Sequence, residues 1–262
     1  FNGHPLGHPI IGSNSTVEKI GREEILNYRK KFFHPNNTII SLAGNLKSPE
    51  VFSLTEKYFG EGKWEKKGMD FKIKAPSFNL SDEKKEKKLE QVHICLGTNG
   101  IPYKDEDRYK MILLNEILGG SMSSHLFQEV RERRGLAYAI SSVYESFLDS
   151  GVFLVYAATD NQKVDELVKV SKDEINKIKN DEVTDKELNK VKEQIKSNII
   201  LGLENTSNRM IRLLRQEFYM DKHLTIEEIM KEIEQITKKD IISLANRLFV
   251  EDKLKLVTLG PK

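Results

Sequence analysis

Six histidines and one cysteine are the side chains best suited to metal or nucleophilic chemistry, at His4, His8, His34, His93, His125, His223 and Cys95. A zinc site needs deprotonated ligands that converge, usually at helical or hairpin spacing. His4 and His8 are four apart, but Pro5, Gly7 and Pro9 forbid the helical turn that would bring them together. Neither H-E-x-x-H nor H-x-x-E-H occurs. The sequence therefore predicts no metal held by this chain's own residues. Cys95 sits in an apolar alternating run, the setting of an inert core thiol. No G-x-S-x-G elbow is present, and Gly119-Gly120-Ser121 lacks the Lys-Ser/Thr of a phosphate loop. Those glycines read as the end of one helix and the approach to the next.

The most informative stretch is Leu118–Tyr138, LGGSMSSHLFQEVRERRGLAY. Its helical pattern puts Leu126, Phe127 and Val130 on an apolar side and Arg131, Glu132, Arg133 and Arg134 at the C-terminal end. Basic residues there complement the helix dipole, a purely structural use. The turn at Gly135-Leu136 then delivers Tyr138 to the start of a strand. An Arg and a Tyr brought close by such a turn can hydrogen-bond a peptide carbonyl or a developing oxyanion.

The elements that must position them follow from hydrophobic spacing. Val92, Ile94 and Leu96 alternate with His93 and Cys95, which predicts a half-buried strand. Helices are expected over about Asp105–Leu118 and Ser123–Arg133. Strands Tyr138–Glu145 and Gly151–Ala158 are joined by a turn around Asp149-Ser150-Gly151. Helical patterns then run over Gln162–Asn180 and Thr184–Tyr219, the second opened by a Thr184-x-x-Glu187 capping box. A last helix, Lys238–Phe249, precedes a strand over Leu254–Leu259. Upstream, Ser15-x-x-Glu18 has capping-box spacing before a helix carrying Ile25, Tyr28, Phe32 and Phe33. His34-Pro35-Asn36-Asn37 ends that helix, Thr38–Ala43 reads as a strand closing at Gly44, and Ser48-Pro49 starts a short helix to about Phe59. Residues 60–90 are rich in Lys, Glu and Gly and read as a solvated linker.

The 262 residues carry 42 Lys+Arg against 40 Asp+Glu, a net charge of +2. Near-balanced charge at this density argues against a nucleic-acid partner. No apolar run approaches the roughly 18 residues of a membrane span, so no membrane partner is expected. A single cysteine excludes a disulfide framework and fits a reducing, cytoplasmic setting. The chain opens at Phe1 in a polar stretch, as a fragment would.

The end of the chain repeats its beginning. An offset of 216 positions pairs Ile20 with Ile236, Glu24 with Asp240, Ile25 with Ile241, Phe33 with Phe249, Ile40 with Leu256 and Gly44 with Gly260. If both copies belong to units built alike, the first lacks roughly 126 residues upstream. The expected organisation is the remainder of a first unit over 1–65, a charged linker over 66–90 and a complete second unit over 91–262. The fold class is α+β: tandem homologous units, each a mixed or antiparallel sheet packed with helices, the first truncated.

The block LNEILGGSMSSHLFQEVRERRGLAYAI, with FLDSGVFLVYA downstream, resembles the pitrilysin/insulysin superfamily of zinc peptidases, in its bacterial branch similar to the mitochondrial processing peptidase. GHPLGHPIIGS, YRKKFFHPNNTIISLAGNL and EQVHICLG match it too. The resemblance implies tandem α+β units, of which the first carries an inverted H-x-x-E-H zinc motif and the second has lost it. This chain is similar to the tail of the first and the whole of the second. No cofactor then belongs to this chain, and zinc belongs to the parent enzyme. Arg131 and Tyr138 are implied as the residues that reach substrate. Where the family usually has Arg after the Ser-Ser pair, this chain has His125, which weakens any role at that position. The implied function is the substrate-binding, chamber-forming portion of a zinc metalloendopeptidase, inactive alone. Its partners are a peptide substrate, the N-terminal catalytic unit and a possible second copy. The alternative is a non-catalytic partner subunit or peptide-binding module of the same superfamily.

Overall fold

Alternation in VHICLGTN makes β2 (Val92–Asn99) the centre of the sheet: Val92, Ile94, Leu96 and Thr98 are buried, while His93, Cys95, Gly97 and Asn99 are half-buried. The computed structural model describes residues 1, 3–60, 74–78, 81–220 and 222–261. Five strands lie in the order β1 (Glu83–Glu86), β5 (Lys255–Gly260), β2, β4 (Gly151–Thr159) and β3 (Ala137–Ser146). β1 pairs parallel with β5, and every other ladder is antiparallel. The sheet is thus mixed and the fold α+β.

The buried side of β2 and β4 meets the helices. Ile94, Leu96, Phe153 and Val155 share a core with Met111, Leu113 and Leu114 of α4 (Arg108–Asn115), with Leu167, Ile175 and Ile178 of α5 (Val164–Lys179), and with Ile241 and Leu244 of α9 (Lys238–Leu248). Phe153 meets Phe249 edge-on, with ring centroids 5.1 Å apart. Fully burying one such side chain contributes about 1.5–3 kcal/mol, so this layer fixes where every loop of the sheet begins. Helix α8 (Ile226–Gln235) joins it through Ile229 and Ile233.

Several elements differ from the sequence reading. The helix expected over Asp105–Leu118 is α-helical only to Asn115 and widens into a π-turn over Glu116–Gly120. Phe127–Arg133 is π-helical as well. The long pattern Thr184–Tyr219 is two helices, α6 (Asp185–Gly202) and α7 (Thr206–Tyr219), because Asn205 caps a new start by accepting from Ser207 and Asn208 N–H. Helix α8 lies outside the expected elements, although its Thr225/Glu228 capping box is present in the sequence.

Two compact units divide the chain: 1–77 with 200–223, and 78–199 with 224–262. The linker expected over 66–90 falls partly outside the described residues, and its far end is not linker: Glu83–Glu86 forms β1. An edge strand needs only backbone partners, and charged side chains on it discourage further pairing. The unit that holds the sheet thus begins before residue 91 and lacks 200–223.

In the other unit lie α1 (Asn14–Val17), α2 (Arg22–Phe32) and α3 (Ser48–Phe59). Ser13, not Ser15, caps α1, exchanging hydrogen bonds with Thr16, while Glu24 reaches back to Gly21 N–H at the start of α2. The 216-residue repeat is realised in local structure. Helix α2 maps onto α9, the 3₁₀ turn Pro35–Asn37 onto Glu251–Lys253, and the end residue Phe33 (φ −91°) onto Phe249 (φ −91°). The expected strand over Thr38–Ala43 has no ladder among the described residues, whereas its counterpart β5 pairs on both sides.

Candidate functional site

Leu126 and Val130 are fully buried and anchor the short helix that carries the arginines. At its end Gly135 takes φ +57°, its N–H bonds the Arg131 carbonyl at 3.2 Å, and Leu136 N–H bonds the Val130 carbonyl at 2.9 Å. That is a left-handed stop of the αL kind, whose Gly135–Arg131 bond spans four residues; together the two bonds satisfy carbonyls at the helix end, and the left-handed backbone is one that glycine adopts freely. The chain then enters β3 with Ala137 opposite Thr159 and Ala139 opposite Ala158. Tyr138 is the extra residue between them, the centre of a β-bulge. A bulge leaves one residue outside the ladder and re-aims its side chain. Tyr138 is accordingly 79% exposed although its strand is well buried at Ala137 and Ile140.

Arg131 lies between two rings, its guanidinium carbon 4.1 Å from the Tyr138 centroid and 4.7 Å from that of Phe127. Cation–π contact of this kind is worth about 0.5–1 kcal/mol when exposed. Its Nε lies 3.5 Å from Glu132 Oε1. The structure therefore brings Arg131 and Tyr138 together as a cation–π pair, with the terminal N–H groups of the guanidinium and the phenol hydroxyl available as donors. The neighbouring arginines are used differently. Arg133 and Arg134 both bind Glu129, at 2.9 Å each, and Arg134 also approaches Glu166 at 3.7 Å. Burial pushes the Glu129 carboxyl up, but the hydrogen bonds from Arg134 and Arg133 prevail and hold it below the usual range.

His125, a departure that on sequence grounds weakens any role at its position, is the hub of a buried charge cluster. Its Nδ1 lies 3.2 Å from Glu174 of α5 and its Nε2 3.0 Å from Glu187 of α6. Glu174 is 5% exposed and also binds Lys177 Nζ at 2.6 Å. Burial would lower the His125 pKa, yet the hydrogen bonds to Glu174 and Glu187 outweigh it and raise it to about 9. Only half of the expected capping box at Thr184 forms: its hydroxyl accepts from Glu187 N–H, while the Glu187 carboxylate turns to His125.

The remaining candidates are dispersed. His93 Nδ1 and the Tyr156 hydroxyl are 2.8 Å apart on the half-buried face of the sheet. Burial raises the Cys95 thiol pKa, which suppresses its reactivity. His4 and His223 bind the Lys74 carbonyl and Glu217, at 3.1 and 2.9 Å, and His34 is buried. Gly119 packs so closely on β3 that a Cβ would lie 2.5 Å from Ser142 N, so the Gly119-Gly120 pair serves packing. Among the described residues no group of three His, Cys, Asp or Glu side chains is arranged to hold a metal. The His125 cluster illustrates why: both ring nitrogens face carboxylates, leaving no lone pair for a cation.

An α+β layer of this kind is found in known peptidase-family domains. The chain belongs to the family described as Peptidase M16 inactive domain, whose model matches residues 19–195. A Bacillus subtilis protein named "uncharacterized zinc protease YmxG" is 36% identical over 96% of this chain and 61% of its own length. A Mycobacterium bovis "uncharacterized zinc protease" is 32% identical over all of this chain and 60% of its own. The chain thus spans about three fifths of the curated relatives it matches. Among solved structures, a peptidase M16 inactive domain from Pseudomonas fluorescens superposes with TM-score 0.88 at 24% identity, covering 100% of this chain and 62% of that one. A Helicobacter pylori protease gives 0.83 at 23%, covering 96% and 62%.

Proposed function

We propose that this chain is the substrate-holding portion of a zinc-dependent endopeptidase and that Arg131 and Tyr138 engage the peptide backbone. The observation that carries the reading is the stacked, outward pair at the bulge. Of the three arginines at this helix end, two are spent on Glu129, and the third sits against the Tyr138 ring with its terminal donors free among the described residues. A planar guanidinium and a phenol suit the carbonyls of an extended chain and the oxyanion of a tetrahedral intermediate. The names of the relatives, zinc proteases, support the reaction class, and in this reading the zinc ligands belong to the parent protein outside this chain. The substrate chamber, the partnership with a catalytic unit and any second copy belong to the same reading.

The test is kinetic, in the full-length parent. Arg131→Ala and Tyr138→Phe should each lower kcat by roughly 10²–10³-fold with the melting temperature unchanged. Normal turnover in both variants, or losses that merely track unfolding, would return the pair to a structural role. A full-length parent that cleaves nothing would favour a non-catalytic partner subunit.

A further inference from the structure

The helix that carries Arg131 begins at His125, and that ring is gripped from two directions. Glu174 comes from α5 and Glu187 from the first turn of α6. A neutral imidazole has one N–H and one lone pair, so it can satisfy one of two flanking carboxylates and must repel the other. Two carboxylates at 3.2 and 3.0 Å on opposite nitrogens therefore call for the doubly protonated ring. The groups around it are Glu174 and Lys177 on α5, Glu187 on α6, and Glu129 on the helix itself, which Arg133 and Arg134 occupy. His125 is 14% exposed and Glu174 5%, so water cannot replace the missing bond cheaply.

Arg131 lies six residues further along a largely π-helical segment, and Tyr138 is held between its paired neighbours Ala137 and Ala139. The stack forms only if the helix keeps its phase relative to β3. We propose that His125 is a positioning residue, clamping the start of this helix to α5 and α6 so that the Arg131 guanidinium meets the Tyr138 ring. This rests on the reading that the pair binds peptide. An arginine at 125 would supply two or more donors and a charge that does not titrate, so it should serve as the conservative replacement.

The experiment compares wild type, His125→Arg and His125→Gln in the 262-residue chain. Amide hydrogen exchange over residues 127–133, corrected for intrinsic rates, reports the helix directly. Binding of a fluorescein-labelled unstructured peptide reports the pair. In wild type, protection should fall as pH rises through about 9. His125→Arg should stay protected across that range, and His125→Gln should be open throughout, with peptide affinity lower by roughly tenfold. Every other side chain is common to wild type and His125→Arg, so the difference between them isolates position 125. Unchanged wild-type protection through pH 9, or the same fall in His125→Arg, would overturn the proposal. If His125→Gln fails to fold, that comparison still decides. If Arg131→Ala binds the peptide as tightly as wild type, the peptide-binding reading fails, and hydrogen exchange still tests the clamp at His125 independently.

Discussion

Tyr138 owes its direction to an inserted residue in the ladder, so the ring and the hydroxyl can be separated by mutation. Tyr138→Phe keeps the 4.1 Å stack on Arg131 and removes one donor; Tyr138→Ala removes both. On the folded chain, Phe should be neutral within about 0.5 kcal/mol and Ala should lose about 0.5–1 kcal/mol, as measured by denaturant unfolding. Glu129→Gln tests the other arginines. It takes away the charge that both Arg133 and Arg134 share, and should destabilise by about 1 kcal/mol without altering the Arg131 stack. The spacing, which straddles a helix end, a glycine and a strand, makes the meeting of an arginine with Tyr138 legible, but it is the family resemblance that singles out Arg131 from Arg133 and Arg134. The sequence cannot show the bulge, since nothing in Ala137-Tyr138-Ala139 distinguishes an inserted residue from a paired one. Nor can it show His125 as a hub, because Glu174 and Glu187 are two carboxylates among 40 acidic residues and meet the ring only through the packing of α5 and α6.

At the scale of elements, strong periodicity is legible and irregular backbone is not. Strands β2 and β4 and helices α5 and α9 follow from apolar spacing that burial then enforces. The π-turns at Glu116–Gly120 and Phe127–Arg133 leave no such trace: their apolar residues, Ile117, Leu118 and Val130, sit where an α-helical pattern would also put them. Capping-box spacing points to the wrong hydroxyl at Ser15 and does not stand out at Thr225, since a hydroxyl three residues before an acid is common and only the helix start decides. The Thr225 and Thr237 caps are directly testable. Each hydroxyl accepts the N–H of its N3 residue, Glu228 or Asp240, so Thr→Ala at either should lower stability by about 1 kcal/mol. Gly135→Ala should lower it by about 1 kcal/mol as well: its φ of +57° disfavours any Cβ, although the space around it is open.

For the molecule as a whole, the charge cluster sets how stability responds to pH. The His125 pKa rises from 6.5 to about 9 on folding. Its contribution is therefore complete below pH 6.5 and is lost as pH rises through about 9, by at most about 3 kcal/mol. Glu129, Glu174 and Asp240 are shifted the opposite way, each held below the usual carboxylate range against the effect of burial by its partners. Their contribution is present above the unfolded carboxylate pKa and is lost as pH falls through the folded one. Thermal unfolding of wild type should accordingly weaken on both flanks, and His125→Arg should abolish most of the alkaline loss while leaving the acid limb intact.

The repeated segment gives the same local sequence pattern two fates within one chain. Lys255–Gly260 is knitted between β1 and β2, whereas Thr38–Ala43 runs unladdered among the described residues, with Ile39, Ile40 and Leu42 each 40–48% exposed. Six uncharged, β-prone residues without proline are a template for intermolecular stacking. Handled alone at high concentration, this polypeptide should be limited less by unfolding than by slow self-association seeded at residues 38–43. A single lysine at position 40 should delay the rise in light scattering while leaving the unfolding midpoint where it was.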